Sequence, residues 1–282
     1  MKVVKTIKAL QKIVINAKAQ GKKVGFVPTM GYLHEGHLSL MQQSKKDADL
    51  TVVSIFVNPT QFNNPHDLKN YPRNLRRDKL FAKQKGVDII FHPSVDEIYP
   101  KGHMTYVDVE GVSNNLCGQF RPGHFKAVAT VVSKLINIVS PDVMYLGQKD
   151  AQQVVVIKKM VEDLNFPVKI KVMPTIRESD GLAMSSRNSR LSNQERQEAI
   201  ILYQSLQYFK KLIFQGRINV LSLQKAAKQM IEKKSSARVE YIELVNADDL
   251  SPLRHLKGRV LIALAVWLGK TRLIDNITVN VS

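Results

Sequence analysis

The amino-acid sequence predicts an α/β protein, in which a doubly wound, Rossmann-like parallel sheet is followed by a smaller C-terminal α+β domain. Three observations predict this class. Short apolar strands alternate with amphipathic helices from the N-terminus to about Val172, which is typical of a parallel sheet with helices on both faces. After Arg177 the order changes, and helices precede strands. The length of 282 residues suffices for two modest domains that each bury a core.

The elements of the first part are predicted from periodicity and from the residues that end each run. Helical spacing of apolar residues over 3–20 precedes the apolar strand 24–27. The β-branched run over 49–57 is long enough for a buried strand, and an Asn-Pro pair ends it. A glycine closes the helix over 75–85. By the same criteria, the remaining helices cover residues 34–46, 124–139 and 151–164, and the remaining strands cover 88–91, 142–146 and 168–172.

The second part is predicted to contain two helices and then three strands. The helices cover residues 192–214 and 222–233, and the strands cover 239–245, 260–268 and 273–281. The change of pattern near residues 174–176 is the only signal for a domain boundary. We therefore predict a Rossmann-like ligand-binding domain over 1–175 and a C-terminal α+β lid domain over 176–282.

The formal net charge of +18 at pH 7 is compatible with nucleic-acid binding. The lysines are spread along the whole chain, however, and the dense basic runs are only two residues long. No aromatic RNA-binding motif, zinc ligand set or Arg-rich tail accompanies them. The charge therefore favours a generally basic surface with an anion-binding pocket, and we expect no nucleic-acid partner.

Cysteine usage and hydropathy indicate the compartment. A single cysteine, Cys117, excludes an internal disulfide and is typical of a reducing cytoplasm. The longest apolar stretches, residues 52–57 and 260–268, are too short to span a bilayer. Lysines interrupt the apolar positions of the first 21 residues, which favours an amphipathic surface helix over a signal peptide. We expect a cytoplasmic protein with no membrane partner.

The turn after the strand 24–27 is the most informative segment. The chain passes through Pro28-Thr29-Met30-Gly31 into a helix that starts with His34-Glu35-Gly36-His37. Backbone N–H groups and the positive end of a helix are suited to bind a phosphate at such a turn. His34 and His37 lie three residues apart, so we expect them on one face, donating to a triphosphate. Metal ligands or solvated histidines are the alternatives, although the spacing is not that of a His-Glu-x-x-His zinc motif.

Four further polar segments follow predicted strands or precede helices. Gln61 follows the strand 49–57, and Arg121 lies where an anion at the start of the helix 124–139 would meet it. Lys149 directly follows the strand 142–146, with Gln153 one helical turn later. The segment Met184–Asn188, with two serines and Arg187, resembles a flexible loop suited to clamp a triphosphate. Individually each is also explained as a surface, capping or turn sequence; together, at one edge of one sheet, they describe a site.

These motifs resemble the pantothenate synthetase family, the pantoate–β-alanine ligases, which belong to the larger nucleotidyltransferase group with a His-x-Gly-His segment. The resemblance runs in order from the N-terminal strand to Arg187 at family-like spacing. One difference is Gln148, where many relatives have Glu. The motifs that carry the resemblance are Pro-Thr-Met-Gly-x-x-His-x-Gly-His over 28–37, Phe-Val-Asn-Pro-Thr-Gln-Phe over 56–62, Arg-Pro-Gly-His-Phe over 121–125, Gly-Gln-Lys-Asp over 147–150 and Gly-Leu-Ala-Met-Ser-Ser-Arg-Asn over 181–188.

The resemblance implies an ATP-dependent ligase that joins (R)-pantoate to β-alanine through a pantoyl adenylate and releases AMP and pyrophosphate. The Rossmann-like domain over 1–175 would then bind the nucleotide and pantoate. The resemblance also implies Mg²⁺ held mainly by the phosphates, with no protein metal ligand assigned, and a homodimer. The implied catalytic residues are His34, His37, Lys149 and Arg187. The implied ATP-binding residues are Met30, Gly31, His34, His37, Gly147, Gln148, Lys149, Asp150, Ile176, Met184, Ser185, Ser186 and Arg187. Gln61, Gln153 and Arg121 are implied to bind pantoate, and Gln61 also β-alanine.

Two other functions remain as alternatives at this point. A nucleotidyltransferase that makes a nucleotide-containing product shares the first histidine motif but leaves residues 58–62 and 121–125 unexplained. An RNA-binding or aminoacyl-tRNA synthetase-like protein agrees with the histidine motif and the net charge. About 100 residues after the sheet leave little room for the anticodon-binding domain that such a synthetase needs.

Overall fold

The computed structural model describes residues 1–216 and 219–281. Its larger sheet has six strands in the order β1-β4-β3-β2-β5-β6, and every neighbouring pair is parallel. Because strands on both sides of β2 are reached by crossover connections, the sheet is doubly wound. The strands are β1 (Lys2–Val4), β2 (Val24–Thr29), β3 (Leu50–Ile55), β4 (Ile89–Phe91), β5 (Val143–Gly147) and β6 (Lys169–Met173).

Helices cover both faces of this sheet. One buried apolar cluster joins the sheet to α1, α7 and α8, and a second joins it to α2 and α4 on the opposite face. The predicted α/β class with a doubly wound parallel sheet is therefore confirmed. The helices of this part are α1 (Ile7–Ala19), α2 (Glu35–Asp47), α3 (Pro65–Lys69), α4 (Leu75–Gln84), α5 (Val95–Ile98), α6 (Cys117–Phe120), α7 (His124–Val139) and α8 (Ala151–Asp163).

A three-stranded antiparallel sheet follows, in the order β7-β8-β9. Alternate residues of β8 point to its two faces: Val260 and Ile262 pack on the C-terminal helices, whereas Leu261 and Ala263 pack against the first part of the chain. The smaller α+β part is therefore confirmed, while the boundary between residues 175 and 176 stays a prediction. The elements are α9 (Asn193–Glu198), α10 (Ile201–Phe214), α11 (Val220–Ile231), β7 (Ala237–Asn246), β8 (Gly258–Leu268) and β9 (Thr271–Val281).

Two predicted helices differ from the structure. The helix predicted over 3–20 is wrong at its start, because Lys2–Val4 forms β1 and pairs with β4. The helix predicted over 192–214 is divided into α9 and α10. The Leu202 N–H donates to the Ala199 carbonyl only three residues back, so the chain tightens for one turn between the two helices. The other predicted elements agree in type, and their ends lie within a few residues of the observed ones.

The parallel sheet places its functional segments at one edge. Strands β2, β3, β5 and β6 end in the same direction, and the segments that follow them begin at Met30, Phe56, Gln148 and Pro174. Ligands bind at this carboxyl edge in doubly wound sheets. Within the described part of the chain, no helix is long and apolar enough to cross a membrane.

Candidate active site

The carboxyl edge of the parallel sheet opens into a cavity of about 230 Å³. It adjoins a larger cavity of about 860 Å³ that lies between this sheet and the C-terminal sheet; cavities of this size hold small-molecule ligands. All predicted site residues except Gly31 and Gln148 line the smaller cavity. They are Met30, His34, His37, Gln61, Arg121, Gly147, Lys149, Asp150, Gln153, Ile176, Met184, Ser185, Ser186 and Arg187.

Gly31 and Gln148 have other contacts in this structure. Gly31 has a φ of +83°, and a Cβ atom there would lie 2.9 Å from the Ile55 side chain and 3.0 Å from that of Asp78. Glycine is therefore required by the turn itself. The Gln148 Nε2 donates to Asn276 Oδ1 over 3.3 Å, so its side chain points to the C-terminal sheet. The predicted contacts of both residues with ATP stay predictions.

His34 and His37 form the start of α2 together. His34 is the N-cap residue: its Nδ1 accepts from the Gly36 N–H over 3.2 Å, and His37 Nδ1 lies 3.4 Å from the His34 nitrogen, whose N–H donates to it. The two rings are 4.1 Å apart between centroids. Because each Nδ1 accepts, a neutral imidazole carries its proton on Nε2 and is a donor there. The pair thus lies close together as predicted, although His34 precedes the first turn rather than belonging to it.

Both histidines are neutral at pH 7. Burial lowers the pKa of His34 to about 2, and the nearby His37, Lys149 and Arg77 act in the same direction. Burial also lowers the pKa of His37 to about 4, although Asp150 opposes the shift. An uncharged Nε2–H group that is fixed in place can stabilise negative charge as it develops on a phosphate.

Asp78 supports the turn before these histidines and was not among the predicted site residues. Its carboxylate is buried, with 1% of the residue exposed, and it accepts from the N–H groups of Tyr32 and Leu33 over 2.9 and 2.8 Å. Tyr32 has a φ of 50°, which is unusual for a residue with a side chain. Asp78 therefore stabilises a strained turn, and its place in α4 carried no local signal of that role.

Hydrogen bonds fix both the oxygen and the nitrogen of the Gln61 side-chain amide. The buried Asn58 donates from Nδ2 to Gln61 Oε1 over 3.1 Å, and Gln61 Nε2 donates to the Met30 sulfur over 3.2 Å. Asn58 itself has 1% of its surface exposed. The predicted alternative, that Gln61 is an ordinary surface residue, therefore does not describe its contacts. Asn58 belongs to the same motif but was not among the predicted site residues.

Arg121 and His124 both bind the Gln61 main chain. His124 Nδ1 donates to the Gln61 carbonyl over 2.9 Å, and Arg121 Nη2 donates to the same oxygen over 3.0 Å. The Arg121 Nη1 lies 3.1 Å from His124 Nε2, which accepts from it. Burial and, after it, the charge of Arg121 lower the pKa of His124 to about 3. His124 is therefore a neutral residue that orients Gln61 and Arg121, and it too was not among the predicted site residues.

The segment from Met184 to Arg190 is ordered by ion pairs. Ser185 accepts from the Arg187 N–H and starts a short 3₁₀ helix. Arg187 Nη2 donates to Asp67 Oδ2 over 3.2 Å, and Arg190 Nη1 donates to Asp67 Oδ1 over 2.6 Å. Burial acts to raise the pKa of Asp67, but the two guanidinium groups hold it below its usual value. This segment, predicted as a flexible loop, therefore lies over the cavity in contact with α3.

Gly181 determines how the chain enters this segment. Its φ is +96°, and a Cβ atom there would lie 2.2 Å from the Tyr203 ring. The Arg177 guanidinium stacks on the same ring, 4.1 Å from its centroid, and donates to the Gly181 carbonyl over 3.0 Å. The turn is therefore packed tightly on α10.

A parallel sheet with a cavity at its carboxyl edge, lined by fixed hydrogen-bond donors and cations, defines the class of α/β enzymes that bind nucleotides. Comparison with known proteins identifies the family. The sequence model of the family described as "Pantoate-beta-alanine ligase" matches residues 2–278, which include both sheets. The chain belongs to the pantoate–β-alanine ligase family, as its motifs indicated.

Individual relatives align with this chain over its full length or nearly so. A pantothenate synthetase from Caldicellulosiruptor saccharolyticus is 54% identical over 281 residues, and the alignment covers 100% of both chains. One from Acetivibrio thermocellus is 53% identical, again over 100% of both. The crystal structure of pantothenate synthetase from Thermus thermophilus superposes with a TM-score of 0.93 at 40% identity, covering 98% of this chain and 99% of that one. A ligase from Francisella tularensis, complexed with β-γ ATP and β-alanine, has a TM-score of 0.83 at 39% identity, covering 98% and 97%.

Proposed function

We propose that the protein joins (R)-pantoate to β-alanine and converts ATP to AMP and pyrophosphate, through a pantoyl adenylate. One observation carries the proposal: in a chain of the pantoate–β-alanine ligase family, five separate motifs line a single cavity. The Francisella relative, described as complexed with β-γ ATP and β-alanine, supports the same substrates.

In the first half-reaction, a carboxylate oxygen of pantoate forms a bond to the α-phosphorus of ATP, and the bond from that phosphorus to the bridging oxygen breaks. Pyrophosphate leaves with the electron pair. Both reactants are anions, so the site has to supply positive charge and hydrogen-bond donors. We assign this role to the Nε2–H groups of His34 and His37 and to the charges of Lys149 and Arg187.

Two roles are open to His37, proton donor or purely electrostatic stabiliser, and its protonation state distinguishes them. With a pKa of about 4, His37 is a neutral imidazole at pH 7 and not an imidazolium that can give up its extra proton. A proton donor is most effective when its pKa lies near the working pH. We therefore assign to His37 a hydrogen bond to the phosphate, which stabilises developing charge without transferring a proton.

The second half-reaction needs little activation. The neutral amine of β-alanine attacks the acyl carbon of the adenylate, the bond from that carbon to the phosphate oxygen breaks, AMP leaves with the electron pair, and the nitrogen loses one proton to water. Because the mixed anhydride is already reactive, positioning of the two reactants supplies most of the rate. Gln61 and Gln153 hold the pantoate oxygens in this proposal, Arg121 neutralises its charge, and Gln61 also lies beside the β-alanine site.

The donor set is compatible with Mg²⁺. Among the described residues that line the smaller cavity, Asp150 is the one carboxylate, and no group of three or more His, Cys, Asp or Glu residues in the described part of the chain forms a metal cluster. Mg²⁺ is commonly bound by one carboxylate together with substrate phosphates and water. The ion would neutralise phosphate charge, with Asp150 as its candidate protein contact. We further propose a homodimer in the cytoplasm, with residues 176–282 as a lid domain.

Separating the two half-reactions tests the proposal. Incubation with Mg-ATP and pantoate should release pyrophosphate and leave an enzyme-held acyl adenylate, and AMP should appear only after β-alanine is added. Omission of pantoate is the control and should abolish pyrophosphate release. Production of ADP and inorganic phosphate would mean an acyl phosphate intermediate and would refute this mechanism.

A further inference from the structure

The C-terminal sheet contacts the main chain of the lysine segment directly. Strand β9 passes beside the 3₁₀ helix Gln148–Asp150, and Asn276 on this strand has only 5% of its surface exposed. The Asn276 Nδ2 donates to the carbonyl oxygens of Gln148 and Lys149 over 3.0 and 2.9 Å. Its Oδ1 accepts from Gln148 Nε2 over 3.3 Å. The N–H group and the oxygen of the Asn276 amide therefore both form hydrogen bonds with the segment that carries Lys149.

The strand that carries Asn276 is itself fixed. The neighbouring Asp275, 2% exposed, accepts from both terminal nitrogens of Arg177 over 2.6 and 3.0 Å, and from the Asn276 N–H over 2.8 Å. Arg177 pairs through its backbone with Ala183, directly before the segment that carries Arg187. A bidentate ion pair of this kind, with the carboxylate buried, has well-defined geometry. Asn276 therefore contacts the segment that carries Lys149, and Asp275 holds Arg177, whose bridge partner Ala183 directly precedes the segment that carries Arg187.

We propose that Asn276 is a positioning residue for Lys149, so that the C-terminal sheet sets where the lysine amine meets the phosphates of ATP. This inference rests on the proposed function, because it requires that Lys149 acts on ATP. Lys149 lies beyond the end of β5, where the parallel sheet no longer holds the chain. The two hydrogen bonds from Asn276 fix the main-chain carbonyl groups before and after the Lys149 α-carbon. Without them, the charged group loses its defined position, and a displacement of about 1 Å lowers a rate by up to ~10²-fold.

Asn276→Asp is the appropriate variant, since it keeps the size of the side chain and removes both N–H donors. The new carboxylate would face two carbonyl oxygens and repel the segment. Asn280→Asp is the matched control: it makes the same chemical change on the same strand, at an exposed position. Asn276→Ala removes the donors without adding a charge and replaces Asn276→Asp in the comparison if that variant fails to fold.

The two half-reactions distinguish positioning from a general structural defect. We expect Asn276→Asp to lower pantoate-dependent pyrophosphate release at saturating pantoate by roughly 10- to 100-fold, while aminolysis of added pantoyl adenylate by β-alanine changes by less than about twofold. Asn280→Asp should leave both rates unchanged. In the Lys149→Ala background, Asn276→Asp should cause no further loss, because two residues that act through one group are not additive.

An equal loss in both half-reactions, or no loss in either, would overturn the positioning role. So would an undiminished effect of Asn276→Asp in the Lys149→Ala protein. A different result would refute the proposed function: wild-type protein that releases no pyrophosphate with ATP and pantoate. The two failures are therefore distinguishable in the same experiment.

Discussion

Replacing His124 by Asn is expected to remove part of the acid sensitivity of the fold. The pKa of His124 is about 3 in the folded protein, against about 6.5 for a histidine in an unfolded chain. Between these values the unfolded state binds more protons, so stability is complete above about pH 6.5 and is lost as the pH falls towards 3. Asn keeps an N–H donor for the Gln61 carbonyl and does not titrate.

The magnitude follows from the difference in proton binding. Between pH 7 and pH 5, protonation of His124 in the unfolded chain alone lowers the free energy of unfolding by about 2 kcal/mol. With its pKa of about 3, the folded His124 stays neutral at pH 5, so only the unfolded chain takes up the proton. The contributions of His34 and His37 are present in wild type and variant alike, and cancel in the comparison.

Urea unfolding at pH 7 and pH 5 measures this difference. The loss of unfolding free energy between the two pH values should be about 2 kcal/mol smaller in His124→Asn than in wild type. His255→Asn, at an exposed position, is the control and should behave as the wild type does. If His124→Asn loses as much stability as wild type on acidification, His124 is not buried as a neutral group and the reasoning is wrong.

Three further predictions concern the cavity. His34→Ala and His37→Ala should each slow pantoate-dependent pyrophosphate release by ~10²–10³-fold, the effect of removing one transition-state donor; near-normal rates in both would contradict their assignment. Arg187→Ala should lose at least ~1.5 kcal/mol of the stabilisation by Mg-ATP in a thermal shift assay; an unchanged shift in Arg187→Ala would exclude a clamp. Gly181→Ala should lower the free energy of unfolding by about 2 kcal/mol or more, because the new methyl group meets a tyrosine ring at a left-handed φ; an unchanged urea midpoint would contradict that packing.

Helices and strands that have a recognisable pattern in their own residues were predicted from the sequence. The prediction for helix α7 agrees with the structure to the residue, and two residues in the left-handed conformation, Gly123 and Ser140, flank the helix. The histidine turn was predicted because a strand, a glycine turn and a helix follow one another without interruption. Strand β1 was missed because its three residues also fit the spacing of the following helix, and its partner β4 lies far along the chain.

The residues that hold the site together could not be predicted in the same way. Arg187 and Asp67 are separated by 120 positions, and Asn276 and Gln148 by 128. An aspartate in a short helix and an asparagine in a strand have many ordinary roles, and nothing near them in the chain indicates their partners. Such contacts form only when segments that are far apart in the chain pack together, so the motifs predicted which side chains meet but not what fixes them.

The position of His34 at the start of α2 places the stability of the helix in conflict with the catalytic role that we propose for this residue. Asp, Asn and Ser are the best residues for an N-cap, whereas this helix begins with an imidazole that accepts the capping bond through Nδ1. A sequence selected for stability alone would therefore replace His34, and the replacement would also delete an Nε2–H donor from the cavity. Stabilising consensus-type design should leave this position unchanged, since any gain in melting temperature here would be accompanied by a loss of turnover.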